Sequence, residues 1–211
     1  MSKYQVVMFD LDNTLLKTEQ ASIAALTQAL NEDGVKVKAS AIRKLMGIPG
    51  LEMAKRLGSF EPTKTINRFN QLIGKKVDLI ETYDGIKQMI TALGDSSLEF
   101  GIVTSKLKEV YDAEMPHFPE INAIKKVVYS DDTKEHKPNP EPIEFALENK
   151  FDHISVNNAL YVGDSLFDMQ AAHAAHVDFA NAHWGALPND DFSDAEYILN
   201  HPSELLKIVN D

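Results

Sequence analysis

The sequence predicts an α/β fold in which a parallel β-sheet is flanked by helices and carries a helical insert. Short apolar segments alternate with helical segments, one gap between strands is much longer than the others, and polar residues recur where strands end. Alternating strands and helices are typical of a parallel sheet with right-handed crossovers. At 211 residues, the chain is long enough for one domain with a smaller insert.

Five short apolar segments are predicted to form the strands of this sheet. In chain order, these segments are residues 4–9, 98–104, 125–129, 159–162 and 177–180. Helical periodicity is found at residues 85–93, 141–148 and 167–175, and prolines 138, 140 and 142 open the second of these segments. Helices therefore separate the later strands, as crossover connections require.

The first and second strands are separated by roughly eighty residues, whereas a crossover needs about a dozen. This gap predicts an inserted module. Three segments in it have helical spacing and stop at a glycine: residues 19–34, 40–47 and 51–58. We therefore expect a core formed by residues 1–16 and 83–211 and a helical insert formed by residues 17–82.

The chain is acidic overall, with a formal net charge of -11, but the insert is basic. Residues 17–80 contain eleven lysines and arginines against six acids, a surplus of five positive charges, so the remainder carries -16. An acidic protein repels the phosphate backbone, and nucleic acid is therefore not an expected partner. A basic insert favours a small anionic ligand.

Cysteine is absent, which excludes disulfides, thiolate zinc sites and a cysteine nucleophile. The sequence begins with no charged leader followed by an apolar segment, and no apolar run approaches the length of a membrane span. These features predict a soluble, cytoplasmic protein that does not bind a membrane. Its chemistry is expected to use oxygen and nitrogen ligands.

Two aspartates, Asp10 and Asp12, directly follow the first strand, at the sheet edge where ligands bind in open parallel sheets. Strand alternation predicts that Asp10 is exposed at the strand tip and that Asp12 points to a similar side. Two close carboxylates repel, and a divalent cation with oxygen ligands, above all Mg²⁺, relieves the repulsion. The alternative is an ordinary turn with solvated acids, in which aspartate and asparagine are common.

Polar residues also follow the other strands. Thr104, Ser105 and Lys106 follow the second strand in "VTSK". Lys137 follows the third strand, and the fourth leads into "GDSLFD" with Asp164 and Asp168. Each residue has a structural alternative: a solvated loop lysine, a strand threonine, or a capping box of Ser165 with Asp168. Four such coincidences at four strand ends favour a common site.

The segments "DLDNT", "VTS", the lysine of "HKPNP" and "GDSLFD" together resemble the four motifs of the haloacid dehalogenase superfamily of phosphohydrolases. The resemblance covers the whole chain. It implies a Rossmann-like core with a helical cap inserted after the first strand, and it implies a Mg²⁺-dependent phosphatase. The dehalogenases of this superfamily lack an acid at the position of Asp12, so phosphate ester hydrolysis is favoured over carbon–halogen cleavage.

The resemblance also implies a role for each motif residue. Asp10 attacks phosphorus to form an aspartyl-phosphate, and Asp12 acts first as acid and then as base. The phosphoryl oxygens are held by Thr104, Ser105 and Lys137. Mg²⁺ is held by the side chains of Asp10 and Asp164 and by the backbone carbonyl of Asp12, while Asp168 orients Lys137 or a water bound to the metal.

Within this superfamily, the sequence most resembles the branch of the phosphoglycolate phosphatases. The segments that carry this resemblance are "VTSK", "KPNPEP", the "HWG" at residues 183–185 and "AEYILNHPSELL". A mutase of the β-phosphoglucomutase type is an alternative, but Gly50 and Ser22 stand near positions where those enzymes usually have an arginine and a histidine. A second alternative is a non-catalytic binding protein with the same fold. The expected substrate is a small phosphorylated metabolite, and the expected state is a monomer or dimer.

Four basic residues of the insert are candidates for binding the far end of the substrate. The alternative for each is a solvated basic helix face. They are Arg43, Lys44, Lys55 and Arg56.

Overall fold

The computed structural model describes residues 3–46, 48 and 50–210 and contains eight strands in the described residues. The strands are β1 Val6–Phe9, β2 Leu16–Lys17, β3 Glu81–Thr82, β4 Glu99–Val103, β5 Val127–Val128, β6 Ala159–Gly163, β7 Asp178–Ala182 and β8 Tyr197–Leu199. Six of them form a parallel sheet in the order β5-β4-β1-β6-β7-β8. The predicted α/β class with a Rossmann-like parallel core is confirmed.

The described residues also form ten α-helices. They are α1 Glu19–Glu32, α2 Ala39–Arg43, α3 Gly50–Arg56, α4 Pro62–Ile73, α5 Ile86–Gly94, α6 Lys108–Glu114, α7 Pro119–Asn122, α8 Glu141–Asn149, α9 Leu166–Ala174 and α10 Leu205–Asn210. The longest has 14 residues, and no helix in these ranges is long and apolar enough to cross a membrane.

The central strand β1 is buried on both faces, which explains its continuous apolar sequence. Val6 and Met8 belong to a core cluster that includes residues of α8 and α9. Val7 and Phe9 belong to a cluster on the other face, with residues of α5, α6 and α10. Alternate side chains of one strand thus contact opposite layers of helices. The burial of β1 fixes the position of the residues that follow it.

Helices α1 to α4 share a small core, made by Ile23, Leu26, Leu30, Ile42 and Leu57, and α1 and α4 also contribute residues to the core on one face of the sheet. The chain enters these helices through β2 and leaves them through β3. These two strands pair antiparallel, with Leu16 opposite Thr82 and Lys17 opposite Glu81. The helical insert therefore starts and ends at one short two-stranded ribbon.

Each of the five segments predicted as strands overlaps a strand of the sheet, although β6 and β7 extend beyond the predicted ends, and the sequence prediction missed several elements. The missed strands are β2, β3 and β8, and the missed helices are α4, α6, α7 and α10. Gly34 and Gly58 have φ of 81° and 85°, so they follow α1 and α3 in the left-handed conformation that glycine adopts readily. Gly47, the third predicted stop, lies outside the described residues.

Candidate active site

The candidate site lies at the carboxyl edge of the sheet, where β1, β4 and β6 end side by side. Phe9 of β1 is opposite Ile102 of β4 and Val162 of β6. Because the three strands are parallel, the residues that follow them emerge at the same edge. Asp10, Thr104 and Asp164 are those residues, and all three are buried.

Lys137 reaches this edge from the loop after β5 and makes four contacts there. Its Nζ donates to Asp10 Oδ1 and to Asp168 Oδ1, each at 2.6 Å, to the Tyr161 hydroxyl at 3.0 Å and to the Val103 carbonyl at 3.4 Å. Burial lowers the pKa of this ammonium group, but the carboxylates of Asp10 and Asp168 outweigh burial and raise its pKa well above the ordinary value. Lys137 is therefore a fixed positive charge beside Asp10.

Asp10 is only 6% exposed, which corrects the expectation that strand alternation would leave it exposed at the strand tip. The strand tip is covered because Lys137 lies against the carboxylate. Burial raises the pKa of Asp10 to about 7, with Lys137 opposing the shift and Asp168 and Asp12 adding to it. Burial and the neighbouring acids Asp168 and Asp10 also raise the pKa of Asp164 well above its usual value.

One carboxylate oxygen from each of Asp10, Asp164 and Asp168 lies within 4.8 Å of the other two. Around them, the described residues place five carboxyl groups near two ammonium groups. The acids are Asp10, Asp12, Glu114, Asp164 and Asp168, and the bases are Lys106 and Lys137. Closely spaced carboxyl groups supply the oxygen donors that a hard divalent cation such as Mg²⁺ prefers, and a bound cation would favour the ionised forms of Asp10 and Asp164, whose pKa values burial raises.

The side chain of Asp12 is not part of this three-acid group. Its Oδ1 lies 3.0 Å from Lys106 Nζ, and the side chain is 35% exposed. The sequence prediction assigned a backbone carbonyl of Asp12, and not its carboxylate, to the metal. The structure brings Asp168 into the acid group, although the sequence prediction did not name it as a ligand.

The two carboxylate oxygens of Asp168 have different neighbours: Ser165 contacts Oδ2, whereas Lys137 and the Tyr161 hydroxyl contact Oδ1. Its Oδ2 accepts from the Ser165 hydroxyl at 2.6 Å, while the Asp168 N–H donates to Ser165 Oγ at 3.2 Å in a capping box of α9. Its Oδ1 accepts from Lys137. A Cβ on Gly163 would lie 2.5 Å from Asp168 Cβ, so the strand end needs a glycine there. Capping and contact with Lys137 therefore coexist in one residue.

The two hydroxyl residues after β4 differ in environment. Thr104 is buried, and its Oγ1 accepts from the Lys106 N–H at 3.1 Å. Ser105 is exposed, and no side-chain hydrogen bond joins it to another described residue. Of the two, Thr104 has the fixed position that binding to a phosphoryl oxygen requires.

Besides Glu114, four residues at the site were not predicted to act there from the sequence. Thr14 Oγ1 donates to Asp164 Oδ1 at 3.1 Å, and Trp184 Nε1 donates to the Thr14 carbonyl at 3.0 Å. A Cβ on Gly185 would lie 1.8 Å from the Asn13 carbonyl oxygen. Tyr161 donates to the Val103 carbonyl at 2.9 Å while it accepts from Lys137. Thr14 lies inside the "DLDNT" motif, and "HWG" contains Trp184 and Gly185, so part of this signal was available.

The four basic candidates of the insert divide into two paired and two unpaired residues. Arg43 contacts Glu19 at 2.7 Å, and Arg56 contacts Glu52 at 2.9 Å. Lys44 and Lys55 are exposed and make no ion pair with any described residue. The two lysines are therefore the positive charges of this set that remain available to an anion.

A Rossmann-like sheet with clustered aspartates at its carboxyl edge is typical of a class of hydrolases. The chain belongs to the haloacid dehalogenase-like hydrolases, because the model of that family matches residues 7–182. The resemblance found in the sequence motifs is confirmed.

Three proteins similar to this chain differ in the substrate that their names state. Pyrophosphatase PpaX of Bacillus velezensis is 27% identical over 208 residues, which cover 96% of this chain and 95% of that protein. N-acetylmuramic acid 6-phosphate phosphatase of Pseudomonas aeruginosa is 26% identical over 222 residues, with coverage of 99% and 96%. The crystal structure of a candidate phosphoglycolate phosphatase from Lactobacillus plantarum has a TM-score of 0.90 and 30% identity, with coverage of 99% and 100%.

Proposed function

We propose that this protein is a Mg²⁺-dependent phosphatase that hydrolyses small phosphorylated metabolites through an aspartyl-phosphate on Asp10. It is a phosphoric monoester hydrolase of its family, in line with the relatives named above. The observation that carries the proposal is the buried Asp10 carboxylate, held by Lys137 at 2.6 Å beside Asp164 and Asp168. Phosphoglycolate is the first substrate to test, because the sequence resembles that branch and the similar Lactobacillus plantarum structure is described in those words.

Mg²⁺ would be held by the side chains of Asp10 and Asp164 and by the backbone carbonyl of Asp12. The proximity of carboxylate oxygens of Asp10 and Asp164, within 4.8 Å of each other, supports this assignment, and a cation between them would favour the ionised forms of both groups. When bound, the cation supplies positive charge that offsets the repulsion between a carboxylate and a phosphoryl dianion.

In the first step, an oxygen of Asp10 bonds to phosphorus as the bond to the leaving oxygen breaks. Asp12 donates its proton to that oxygen, and the alcohol departs. In the second step, Asp12 takes a proton from water, the water oxygen bonds to phosphorus, and the bond to Asp10 breaks. Lys137 and Thr104 are proposed to stabilise the phosphoryl oxygens in both steps, since both are buried and held in place before substrate arrives.

We also propose that residues 1–16 and 83–211 form the catalytic core and that residues 17–82 form a cap over the site. The ribbon of β2 and β3 lies at these boundaries and supports the division. Lys44 and Lys55 are the proposed cap contacts to substrate, since they have no ion-pair partner among the described residues. A cytoplasmic location and a monomeric or dimeric state are proposals from the sequence, to be tested by fractionation and light scattering.

The proposal is tested by phosphate release from phosphoglycolate, sugar phosphates, nucleotides and pyrophosphate, with Mg²⁺ and with EDTA. Wild type should release phosphate only with Mg²⁺, and Asp10→Asn should lose at least about a thousandfold in kcat because the nucleophile is removed. The matched control is Asp112→Asn, since Asp112 is an exposed acid paired with Lys108.

Equal release by wild type and Asp10→Asn would show that Asp10 is not the nucleophile. Trapping of the phosphorylated enzyme by rapid acid quench, followed by mass spectrometry, should place the phosphate on Asp10. If wild type converts one sugar phosphate into its isomer without releasing phosphate, the mutase alternative replaces the phosphatase.

A further inference from the structure

Lys106 is a buried lysine between two acids. Its side chain is 8% exposed, and its Nζ lies 3.0 Å from Asp12 Oδ1 and pairs with Glu114 Oε2 on α6. Glu114 is fully buried. Two positions further on, Lys108 is 53% exposed and pairs with Asp112, as a surface lysine does. The burial of Lys106 with a glutamate therefore needs an explanation of its own.

Stability does not supply that explanation. A buried ion pair must repay the loss of hydration of both charges, and apolar residues of similar volume often serve a fold equally well. Glu114 also leaves one carboxylate oxygen, Oε1, without a hydrogen-bond partner among the described residues. A buried and incompletely bonded glutamate costs free energy, which indicates that its contact with Lys106 has a use beyond packing.

The backbone around Lys106 is fixed by the neighbouring strand ends. Its N–H donates to Thr104 Oγ1 at 3.1 Å, and its carbonyl accepts from the Ser130 N–H at 3.0 Å. The Lys108 N–H donates to Asp131 Oδ1 at 2.9 Å. The loop after β5 thus holds the loop after β4, and the ammonium group of Lys106 is directed at Asp12 before any substrate binds.

The contact with Lys106 makes the two carboxylate oxygens of Asp12 different. Oδ1 is tethered to the ammonium group, whereas no described residue hydrogen-bonds Oδ2. The side chain of Asp12 is partly exposed, so without a tether its carboxylate would be free to rotate. An acid that protonates a leaving oxygen must present one oxygen in a fixed direction, because proton transfer depends on alignment.

We propose that Lys106, anchored by Glu114, is the positioning residue of Asp12 and leaves Oδ2 as the oxygen that carries the proton. This inference rests on the proposed function, in which Asp12 protonates the leaving group. It assigns a purpose to a lysine and a glutamate that lie outside the nucleophile, the acid group and the phosphoryl-binding residues. Lys106 acts only through Asp12 and touches no reacting atom.

The test uses two substrates that differ in their need for a proton. An alkyl phosphate, phosphoglycolate or the best alkyl substrate of the panel, leaves as an alkoxide that must be protonated, whereas 2,4-dinitrophenyl phosphate leaves as a stable phenolate. The readout is the rate of leaving-group release in the first turnover, measured by rapid quench and stopped flow. This step precedes the attack of water, in which Asp12 acts again.

Lys106→Met should slow first-turnover release from the alkyl phosphate by about tenfold to a hundredfold, part of the effect of a general acid. Release of dinitrophenolate should change by less than about threefold, and KM for both substrates should be nearly unchanged. Lys108→Met is the matched control and should leave both rates as in wild type. A loss of equal size for both leaving groups, or no loss for either, would overturn the proposal.

Lys106→Met leaves Glu114 buried without its partner and could prevent folding. The double variant Lys106→Met/Glu114→Gln removes both charges together, and it should fold and show the same dependence on the leaving group. Thermal unfolding followed by circular dichroism verifies that each variant is folded.

Asp12→Asn separates the two proposals. If Asp12→Asn slows both leaving groups equally, the acid role of Asp12 in the proposed function is wrong, and the role of Lys106 falls with it. If Asp12→Asn is selective for the alkyl phosphate and the double variant is not, only the positioning role of Lys106 is wrong.

Discussion

At the scale of single residues, Lys137 contacts residues of two other predicted motifs, Asp10 of "DLDNT" and Asp168 of "GDSLFD". It lies 127 positions from Asp10 in the sequence and 2.6 Å from it in the structure. Its Nζ donates to Asp10, Asp168, Tyr161 and the Val103 carbonyl. In the proposed mechanism, one of these bonds is exchanged for a phosphoryl oxygen, and we expect the cost of breaking it to reduce the affinity for phosphate.

The raised pKa of Asp10 predicts that Mg²⁺ binding depends on pH. A cation binds the ionised carboxylate, and burial together with Asp168 and Asp12 holds the pKa of Asp10 at about 7 against the effect of Lys137. The proton therefore competes with Mg²⁺ below that pH, and the apparent Kd should weaken by about tenfold per pH unit for one displaced proton. Above it, the dependence on this group should level off.

Isothermal titration of the metal-free protein with MgCl₂ between about pH 6 and pH 8 measures this effect. The number of protons released, obtained from buffers of different ionisation enthalpy, should fall as the pH rises. Asp10→Asn should bind more weakly and should release fewer protons. An affinity that is constant across this range would contradict the prediction.

At the scale of elements, the loops after β1 and β7 are packed together closely. Trp184 donates to the Thr14 carbonyl, and Gly185 lies where no side chain fits, since a Cβ would be 1.8 Å from the Asn13 carbonyl oxygen. The "HWG" segment after β7 therefore packs against and supports the loop after β1, which carries the candidate nucleophile Asp10.

Gly185→Ala should therefore lower the stability of the protein and its kcat together. The clash is with backbone, so the β1 loop must move, and the cost of such overpacking is typically about 1–3 kcal/mol. Urea denaturation and steady-state kinetics measure both effects. The matched control is Gly94→Ala in α5, where a Cβ would meet no atom within 4 Å. Unchanged kcat in Gly185→Ala would show that the loop does not position the site.

The sequence predicted the sheet and the residues at its edge because both signals are local. Continuous apolar runs mark buried parallel strands, and the residue after each run lies at the carboxyl edge. Tyr161 and Glu114 were missed because a tyrosine in an apolar strand and a glutamate in a helix look like ordinary core and surface residues. Their role depends on lysines that are 24 and 8 positions away and meet them only in the fold.

The elements missed by the sequence prediction fall into two groups. Strands β2 and β3 have only two residues each, and three of these four residues are polar or charged, so they leave no apolar run. Strand β8 is a run of three apolar residues, one more than the two valines of β5, which was predicted. Helix α4 also left a signal: Pro62 opens it, and Ile66, Phe69, Leu72 and Ile73 follow at helical spacing. Helix α4 and strand β8 could therefore have been predicted from the sequence, whereas β2 and β3 could not.

At the scale of the whole molecule, charge is divided between the insert and the rest of the chain. Residues 17–80 carry a surplus of five positive charges in a protein of net charge -11. The carboxyl edge of the sheet carries five carboxyl groups and two ammonium groups. An anionic substrate therefore meets attraction from the insert and repulsion from the remainder, and their balance determines the rate of encounter.

We expect the attraction to dominate, so kcat/KM for a phosphorylated substrate should fall as salt rises. A decrease of about two- to tenfold is expected between about 20 and 300 mM NaCl at constant Mg²⁺, since the Debye length shortens over this range. The double variant Lys44→Ala/Lys55→Ala should have a higher KM and a weaker salt dependence. Lys108→Ala is the matched control, and a rise of kcat/KM with salt would show that repulsion governs the encounter.

The ribbon of β2 and β3 determines how much a change in the length of the insert costs the fold. Leu16 lies opposite Thr82, so the stretch between them leaves the core and returns to it at almost the same place. The entropy lost on closing a loop grows only with the logarithm of its length, and the two paired strands fix the ends whatever lies between them. Gene segments of different length therefore fit between these strands at little cost to folding.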